Sequence, residues 1–298
     1  MKNTARFNGG RWLAPIAILL LSGSFVRGAQ AQTPSAGIAE VNGTKLYYEM
    51  AGKGHALVLI HGGAVDRRAW DDQFTVFSAR YKTIRYDLRG SGKSAMPDKP
   101  FSNAEDLRAL LQYLKVDKAY IAGISRGGGV AFDFTLAHPE MVDALILVSA
   151  NLNNVPAAYQ KMFEASTEAG KKKGAAAAAQ VWLDDPYQGP TREKPEARKR
   201  VLQVLTENIA KFRHFDGSVA VEQLLSSKTP PSQRLTEIHV PTLVIAGEND
   251  NVDARANYDH WAKGIPGAKK LVVPGAAHLV NIDQPKIFNQ AVFEFLKQ

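Results

Sequence analysis

The sequence predicts an α/β fold: a mostly parallel sheet flanked by helices, with an inserted helical cap subdomain. From Ile38 onward, short apolar runs alternate with amphipathic helical patterns, which is typical of parallel strands joined by crossover helices. The alternation stops at about Asn151 and resumes after Thr236, and the stretch between them has helical patterns. The composition, 45% apolar and 22% charged among 298 residues, is that of a globular protein and excludes a disordered or multi-pass membrane chain.

Residues 1–31 resemble a secretory signal peptide. They hold no acidic residue, an apolar stretch at 12–21, and alanines at 29 and 31 that suit cleavage before Gln32. An uncleaved anchor is the alternative, which the shortness of the apolar stretch disfavours. The basic residues of the segment are Lys2, Arg6, Arg11 and Arg27. We therefore expect an exported bacterial protein, either periplasmic or secreted.

The charge balance and the cysteine count exclude several classes of function. The 37 basic and 29 acidic residues give a net charge of +8, and removal of the four basic leader residues leaves +4. So small an excess gives little support to a nucleic-acid partner. The chain has no cysteine, which excludes disulfides, thiolate metal sites and a cysteine nucleophile.

The first element predicted after the leader is an antiparallel hairpin. Residues 38–41 and 45–50 are strand-like and flank Asn42-Gly43, a dipeptide typical of a two-residue hairpin turn. Six further apolar runs predict buried strands. These runs are 56–60, 83–86, 119–122, 144–148, 242–246 and 270–273.

Helices are predicted between these strands. Aromatic residues at 70, 74, 77 and 81 and leucines at 107, 110, 111 and 114 repeat at helical spacing. Ser102 and Glu105 form a capping box before the second of these helices. The sheet and its helices are thus assigned to residues 32–150 and 237–298, and the helical insertion to 151–236. Basic clusters in the insertion could steer an anionic substrate, although a solvated helical face explains them more simply.

A candidate nucleophile stands at the end of the run 119–122. Residues 123–127 read Gly-Ile-Ser-Arg-Gly, a G-x-S-x-G motif between a predicted strand and a predicted helix. The sharp turn that lifts Ser125 above the sheet brings neighbouring backbone so close that the flanking positions have no room for a Cβ. The motif in this context predicts a serine nucleophile.

A serine hydroxyl needs a base to take its proton and an acid to orient that base. His278 is the best base, because it follows the last predicted strand and so shares the carboxyl edge of the sheet with Ser125. His61 and His138 are interpreted as turn or packing residues. No local pattern supports the other four histidines, His55, His214, His239 and His260.

The orienting acid is predicted in the turn after the run 242–246. Asp250 places a short carboxylate at the same sheet edge, with Glu248 and Asp253 as local rivals and Asp283 beyond the histidine. With Asp250, the order along the chain is serine, aspartate, histidine, which is the order of one known fold and differs from the triad orders of two unrelated groups of serine proteases.

A tetrahedral intermediate also needs hydrogen-bond donors for its oxyanion. We expect one donor to be the backbone N–H of Arg126, directly after the nucleophile. The second is expected in the loop after His61-Gly62, at Gly63 or alternatively Ala64. The Gly90–Ser94 stretch looks like the end of a phosphate-binding loop, but the first glycine that such a loop requires would fall at Asp87. No nucleotide site is therefore expected.

Five motifs together resemble the α/β-hydrolase-fold serine hydrolases with a helical cap inserted after the sixth strand, a subgroup that includes carboxylesterases, enol-lactone hydrolases and cofactor-free haloperoxidases. The motifs are His-Gly-Gly at 61–63, Asp-Leu-Arg-Gly-Ser-Gly-Lys-Ser at 87–94, Gly-Ile-Ser-Arg-Gly at 123–127, Gly-Glu-Asn-Asp at 247–250 and Gly-Ala-Ala-His at 275–278. The resemblance covers nearly the whole chain after the leader. It implies Ser125 as nucleophile, Asp250 as acid, His278 as base, and a cap that closes over the pocket.

The resemblance implies hydrolysis of a small carboxylic ester or lactone, with no metal or organic cofactor. The same triad would serve carbon–carbon bond hydrolysis or perhydrolysis, and a ligand-binding protein with little turnover is a further alternative. Ser125 stands where haloalkane dehalogenases and epoxide hydrolases have aspartate, which disfavours those activities. The loop after His61 lacks the His-Gly-Gly-Pro-Gly run of proline iminopeptidases, which weakens a peptidase interpretation.

Overall fold

The computed structural model describes residues 34–152, 157–212 and 230–297. Within them eight strands form a sheet in the order β1-β2-β4-β3-β5-β6-β7-β8. The strands are β1 (Ser35–Val41), β2 (Thr44–Ala51), β3 (Ala56–Ile60), β4 (Lys82–Tyr86), β5 (Ala119–Ile124), β6 (Val142–Val148), β7 (Thr242–Gly247) and β8 (Lys269–Val273). All eight were predicted, with ends that differ by no more than three residues.

The sheet opens with the predicted hairpin. Val41 pairs with Thr44, which leaves Asn42 and Gly43 as the two turn residues, with φ angles of 47° and 67°. Positive φ at both positions is what a type I′ turn requires, and Asn-Gly adopts it readily. β1 and β2 are antiparallel, as are β2 and β4, and the other strand pairs are parallel. The mostly parallel sheet is confirmed.

The helices lie between the strands in sequence. They are α1 (Asp71–Ser78), α2 (Asn103–Tyr113), α3 (Arg126–Ala137), α4 (Ala157–Lys173), α5 (Ala175–Asp184), α6 (Gly189–Glu193), α7 (Pro195–Phe212), α8 (Val252–Gly264), α9 (Val280–Asp283) and α10 (Pro285–Phe295). Short 3₁₀ turns occur at Arg67–Trp70, Pro139–Met141, Pro186–Gln188, Pro231–Gln233 and Leu235–Glu237.

Two details of the predicted helices differ from expectation. α1 ends before Tyr81, because the Phe77 carbonyl accepts hydrogen bonds from the N–H groups of both Arg80 and Tyr81. At the start of α2, the Ser102 hydroxyl accepts the Glu105 N–H at 3.3 Å. The Glu105 carboxylate bonds Arg108 and His138, so only the serine half of the capping box is seen among the contacts.

The hydrophobic core lies on both faces of the sheet. In β3, Leu57 and Leu59 belong to one buried cluster and Val58 and Ile60 to the other, as the alternation of side chains along a strand requires. Helices α2, α3 and α8 cover the face of Val58, while α1, α5, α7 and α10 pack on the face of Leu57. Both faces of β3 are therefore shielded from solvent, which explains its continuous apolar sequence.

The predicted insertion is helical where the structure describes it. Residues 157–212 form α4 to α7, and 230–241 hold two 3₁₀ turns, with no strand in either stretch. Its ends at 151 and 236 stay a prediction, since 153–156 and 213–229 lie outside the described residues. The predicted leader, 1–31, lies outside them too. Among the helices described, none is long and apolar enough to cross a membrane.

The Gly90–Ser94 loop, which resembles the end of a phosphate-binding loop in sequence, attaches the insertion to the sheet. The Gly92 N–H donates to the Asn208 side chain at 2.8 Å, and the Lys93 N–H donates to Asp87 at 2.8 Å. The Lys211 ammonium donates to backbone carbonyls of the same loop, including that of Gly92 at 2.8 Å. Both of these amides therefore already have acceptors within the protein, and that of Gly92 helps to hold α7.

Candidate active site

Ser125 stands on a strained turn between β5 and α3. Its φ of 54° and ψ of −119° are rarely adopted by a residue with a side chain. The turn is held by hydrogen bonds, from the Ser125 N–H to the Val148 carbonyl and from the Gly128 and Asn151 N–H groups to the Ser125 carbonyl. This geometry holds the hydroxyl at the carboxyl edge of the sheet, as the motif predicts.

The glycines of the motif allow this turn to form. A Cβ on Gly123 would overlap the Gly127 carbonyl, and a Cβ on Gly127 would overlap the carbonyls of Ile60 and His61. The obstacles are backbone atoms, which cannot swing aside. The close approach of backbone expected on both sides of Ser125 is thus confirmed.

His278 and Asp250 form a hydrogen-bonded pair in this structure. The His278 Nδ1 lies 3.1 Å from Asp250 Oδ2, and the exposed fractions of the two residues are 7% and 4%. Asp250 follows β7 and His278 follows β8, so two adjacent parallel strands bring them to the same edge. The structure therefore joins the acid and base chosen from the sequence.

Asp250 accepts three further hydrogen bonds. Tyr159 donates to Oδ1 at 2.7 Å, Tyr258 to Oδ2 at 2.8 Å, and the Asn251 N–H to Oδ1 at 2.7 Å. Burial opposes ionisation of this carboxyl, but the charge of His278 and the donated hydrogen bonds hold the pKa of Asp250 below its usual range. The side chain is thus held as a carboxylate.

The rival acids lie in other environments. Glu248 is exposed and accepts the Gly275 N–H at 3.0 Å, and Asp253 is exposed at the start of α8. Asp283 accepts the Ala277 N–H at 2.8 Å and the Thr191 hydroxyl. Asp283 thereby fastens the loop that carries His278 to α6.

Two other histidines have structural contacts of the kind expected. His61 is fully buried, with Nδ1 2.7 Å from the Gly62 carbonyl, while Nε2 accepts the Leu88 N–H. Both ring nitrogens are therefore occupied, and burial lowers the pKa of His61. His138 lies 2.7 Å from Glu105.

A small cavity of about 30 Å³ contains Ser125 and His278 in its wall. Gly62 and Gly63 also line it, and a Cβ on Gly62 would lie 3.4 Å from the Ser125 Cβ. Gly63 borders this cavity and Ala64 does not, which favours Gly63 as one of the expected oxyanion donors. The other expected donor, Arg126, is the first residue of α3, directly after Ser125, and lines the larger cavity described next.

A larger cavity of about 340 Å³ adjoins the small one, since Gly63 and Trp182 line both. Trp182 packs on Phe163 with ring centroids 5.2 Å apart. Arg126 also lines this cavity, and burial lowers its pKa to about 10, which leaves the guanidinium charged at neutral pH. Among the described residues that line it, the space thus combines an aromatic wall with the cation of Arg126.

Known proteins share the fold described above. The sequence profile of the alpha/beta hydrolase fold family matches residues 55–285. The chain belongs to that family. This α/β hydrolase also has a fold like that of the enol-lactonase from Burkholderia xenovorans LB400, with a TM-score of 0.73 and 23% identity over 88% of this chain and all of that one. At such identity the likeness concerns the fold.

Curated relatives of this α/β hydrolase extend over most of its length. It is 28% identical to 3-oxoadipate enol-lactonase 2 of Acinetobacter baylyi over 82% of this chain and 89% of the relative. It is 25% identical to 2-hydroxy-6-oxo-6-phenylhexa-2,4-dienoate hydrolase of Comamonas testosteroni over 85% and 91%. The structure of Est816, described as an N-acyl homoserine lactone degrading enzyme, is 28% identical, with a TM-score of 0.69 and coverage of 87% and 100%.

Sequence reasoning missed Tyr159 and Tyr258. Tyr159 contacts His278 and Asp250 across separations of 119 and 91 residues. A tyrosine on an amphipathic helix carries no signal of such a contact. Tyr258 lies only eight residues beyond Asp250, on the helix that follows it, and that proximity was the one usable hint.

Proposed function

We propose that this α/β hydrolase cleaves a carboxylic ester or lactone of a small molecule through an acyl-enzyme on Ser125. The observation that carries the proposal is the buried His278–Asp250 pair, 3.1 Å apart, at a cavity shared with a serine on a strained turn. Two relatives at 28% identity, the Acinetobacter enol-lactonase and Est816, bear the names of lactone-cleaving enzymes.

In the proposed reaction, His278 Nε2 takes the proton of the Ser125 hydroxyl as its oxygen attacks the substrate carbonyl. Asp250 bonds Nδ1, which keeps the lone pair on Nε2 and stabilises the imidazolium that forms. The oxyanion accepts hydrogen bonds from the N–H groups of Gly63 and Arg126. The protonated His278 then gives its proton to the leaving alkoxide, and in a lactone the alcohol stays attached to the acyl group.

Deacylation repeats these steps with water. His278 takes a proton from the water, the hydroxide attacks the acyl carbonyl, and the proton passes to Ser125 as the acid departs. Every proton removed is returned, so these steps call on no other reactant.

The two cavities favour substrates that are small on one side of the carbonyl. The space beside Ser125 is small, at about 30 Å³. The adjoining 340 Å³ accepts a larger, mostly apolar group against Trp182 and Phe163. We infer that one substituent is short and the other is bulky.

The test is labelling with a fluorophosphonate, followed by a panel of p-nitrophenyl esters and lactones. We expect labelling of the native chain and of Ser78→Ala, a serine of α1 that bonds the Thr75 carbonyl away from the site, and none of Ser125→Ala. A folded wild-type chain that resists the label and cleaves no ester or lactone would overturn the proposal and leave ligand binding as the function.

Carbon–carbon bond hydrolysis is a second candidate, favoured by the Comamonas relative. The assay is the same panel extended with a vinylogous 1,5-diketone of the ring-cleavage type. Turnover of the diketone exceeding that of every ester would favour this candidate over the first.

We also propose that the protein is exported and cut before Gln32. The support is the sequence of residues 1–31 alone. N-terminal sequencing of the protein recovered from the periplasm and medium of a bacterial host is the test, and an intact Met1 in cell extracts alone would overturn it.

A further inference from the structure

Tyr159 of α4 reaches from the helical insertion into the acid–base pair. Its hydroxyl lies 2.7 Å from Asp250 Oδ1 and 2.8 Å from His278 Nδ1, which is nearer than the 3.1 Å between that nitrogen and Asp250 Oδ2. The residue is 3% exposed. Its ring meets the imidazole edge to face, with centroids 5.1 Å apart. The phenol, carboxylate and imidazole therefore form a closed triangle of hydrogen bonds.

Hydrogen counting fixes the direction of each bond. The phenol has one hydrogen, and an ionised Asp250 can only accept, so Tyr159 donates to Asp250. Burial and the neighbouring carboxylate raise the pKa of Tyr159 above its usual value, so the phenol keeps that hydrogen. The phenol oxygen must then accept from the His278 Nδ1–H. This requires the tautomer with a free lone pair at Nε2.

We propose that Tyr159 is a positioning residue for His278: its phenol oxygen is a second acceptor of the Nδ1 proton and holds the imidazole with Nε2 available to Ser125. The inference rests on the proposed function. Tyr159 comes from the insertion, whereas Asp250 and His278 lie on the loops that follow β7 and β8.

Tyr258 provides a comparison with Tyr159, because it is a second tyrosine that donates to Asp250. It donates to Asp250 Oδ2, the same oxygen that His278 contacts, but it comes from α8. Removing its hydroxyl takes a competing donor from Oδ2 and strengthens that oxygen as an acceptor for His278. Removing the Tyr159 hydroxyl also takes a donor from Asp250, at Oδ1, but it takes the nearer acceptor from the imidazolium itself. We expect this direct loss to dominate, because that contact is 2.8 Å and Oδ1 is not the oxygen that His278 contacts. The two changes should therefore shift protonation of His278 in opposite directions.

Other groups facing His278 are unchanged in both variants. The His278 N–H donates to the Tyr187 carbonyl at 3.1 Å, and Tyr187 packs edge to face on Tyr159. Asp185, after α5, acts on His278 through space, and burial raises the pKa of this carboxyl. Phenylalanine at position 159 keeps the ring that packs on Tyr187, so a change in protonation can be assigned to the lost hydroxyl.

The experiment compares Tyr159→Phe and Tyr258→Phe with the wild type by steady-state kinetics against pH on p-nitrophenyl acetate. For Tyr159→Phe we expect the acid limb of kcat/KM to move to lower pH by about half a unit. We also expect kcat to fall roughly tenfold with little change in KM, because orientation of the base is lost. For Tyr258→Phe the acid limb should move to higher pH.

A second measurement does not depend on turnover. In protein labelled with ¹⁵N-histidine, the His278 ring nitrogens, assigned with His278→Gln, should report the Nδ1–H tautomer and a titration midpoint that moves down in Tyr159→Phe. Absent turnover in the wild type would count against the proposed function, and this titration would still test Tyr159.

A merely structural role for Tyr159 makes different predictions. It would lower the thermal midpoint of Tyr159→Phe but leave its pH profile and its histidine titration as in the wild type, or move them the same way as Tyr258→Phe. Either result would overturn the inference. Tyr159→Met, which keeps an apolar side chain there, is the second variant if Tyr159→Phe does not fold, and the same downward shift is expected of it.

Discussion

Gly127 on α3 lies directly against the backbone of His61, so closely that a Cβ on the glycine would overlap the His61 carbonyl oxygen. This contact joins the turn that carries Ser125 to the loop that carries Gly63. It sets the separation between the nucleophile and one expected oxyanion donor.

We expect Gly127→Ala to destabilise the protein by several kcal/mol or to prevent its folding, because the obstacle is backbone on both Ile60 and His61. Gly63→Ala is the matched control for stability, since the nearest atom to its Cβ would be Arg126 Cδ at 4.0 Å. Urea unfolding of both variants checks this. Equal stability of the two would show that the turn has more room than the structure gives it.

Asp250→Asn should reduce kcat on p-nitrophenyl acetate by about 10⁴-fold while the protein stays folded. An amide in place of the carboxylate can donate to Nδ1 and so favours the wrong tautomer of His278. Asp253→Asn, three residues away and exposed, is the control and should change kcat less than about threefold. A kcat for Asp250→Asn near that of the wild type would show that another residue is the acid of the triad.

Trp182→Ala should change the preference for chain length. The indole lines both the cavity at Ser125 and the larger cavity, so its removal joins them. We expect the kcat/KM ratio of p-nitrophenyl hexanoate to acetate to rise roughly tenfold or more. Phe163→Ala enlarges only the larger cavity and should leave the ratio within about threefold. Equal hexanoate-to-acetate ratios in the two variants would contradict the idea that Trp182 separates the two cavities.

Asp66 should make stability depend on pH in the acid range. Burial opposes its charge, but bonds from Arg68 and Asn208 lower the pKa of Asp66 to about 2. A folded pKa below the unfolded value of 3.8 contributes stability above about pH 4 that is lost as the pH falls toward 2.

Asp66→Asn should therefore lower the free energy of unfolding by about 2 kcal/mol at pH 7 and much less at pH 2.5. Asparagine keeps an oxygen for the Arg68 N–H, so the difference reports the charge. Exposed Asp253→Asn is the control. Urea titrations at the two pH values are the measurement, and a difference that stays constant with pH would rule out this account.

The sequence predicted the elements whose causes are local. The dipeptide Asn42-Gly43 favours a hairpin turn by itself. The G-x-S-x-G motif favours a strand–turn–helix because its glycines, all within five residues, leave room for the close backbone contacts of that turn. Asp250 and His278 were predictable because parallel strands deliver their carboxyl ends to one edge.

Features that depend on distant contacts were not predictable. Glu105 bonds Arg108 and His138, 33 residues on, instead of completing its capping box, and no local pattern announces that competition. Tyr159 joins the acid–base pair only because α4 passes over it. The helical pattern of the insertion predicted its secondary structure, but not how its helices pack against the sheet.

The narrow space beside Ser125 has a consequence for the order of events. At about 30 Å³ it is less than a tenth of the adjoining cavity, and we expect a departing alcohol and an attacking water to occupy it in turn. Under the proposed mechanism, the first product has to leave before the second reactant arrives, so the lifetime of the acyl-enzyme depends on that exchange. A small alcohol added to the solution would compete with water for the vacated place and emerge as a new ester.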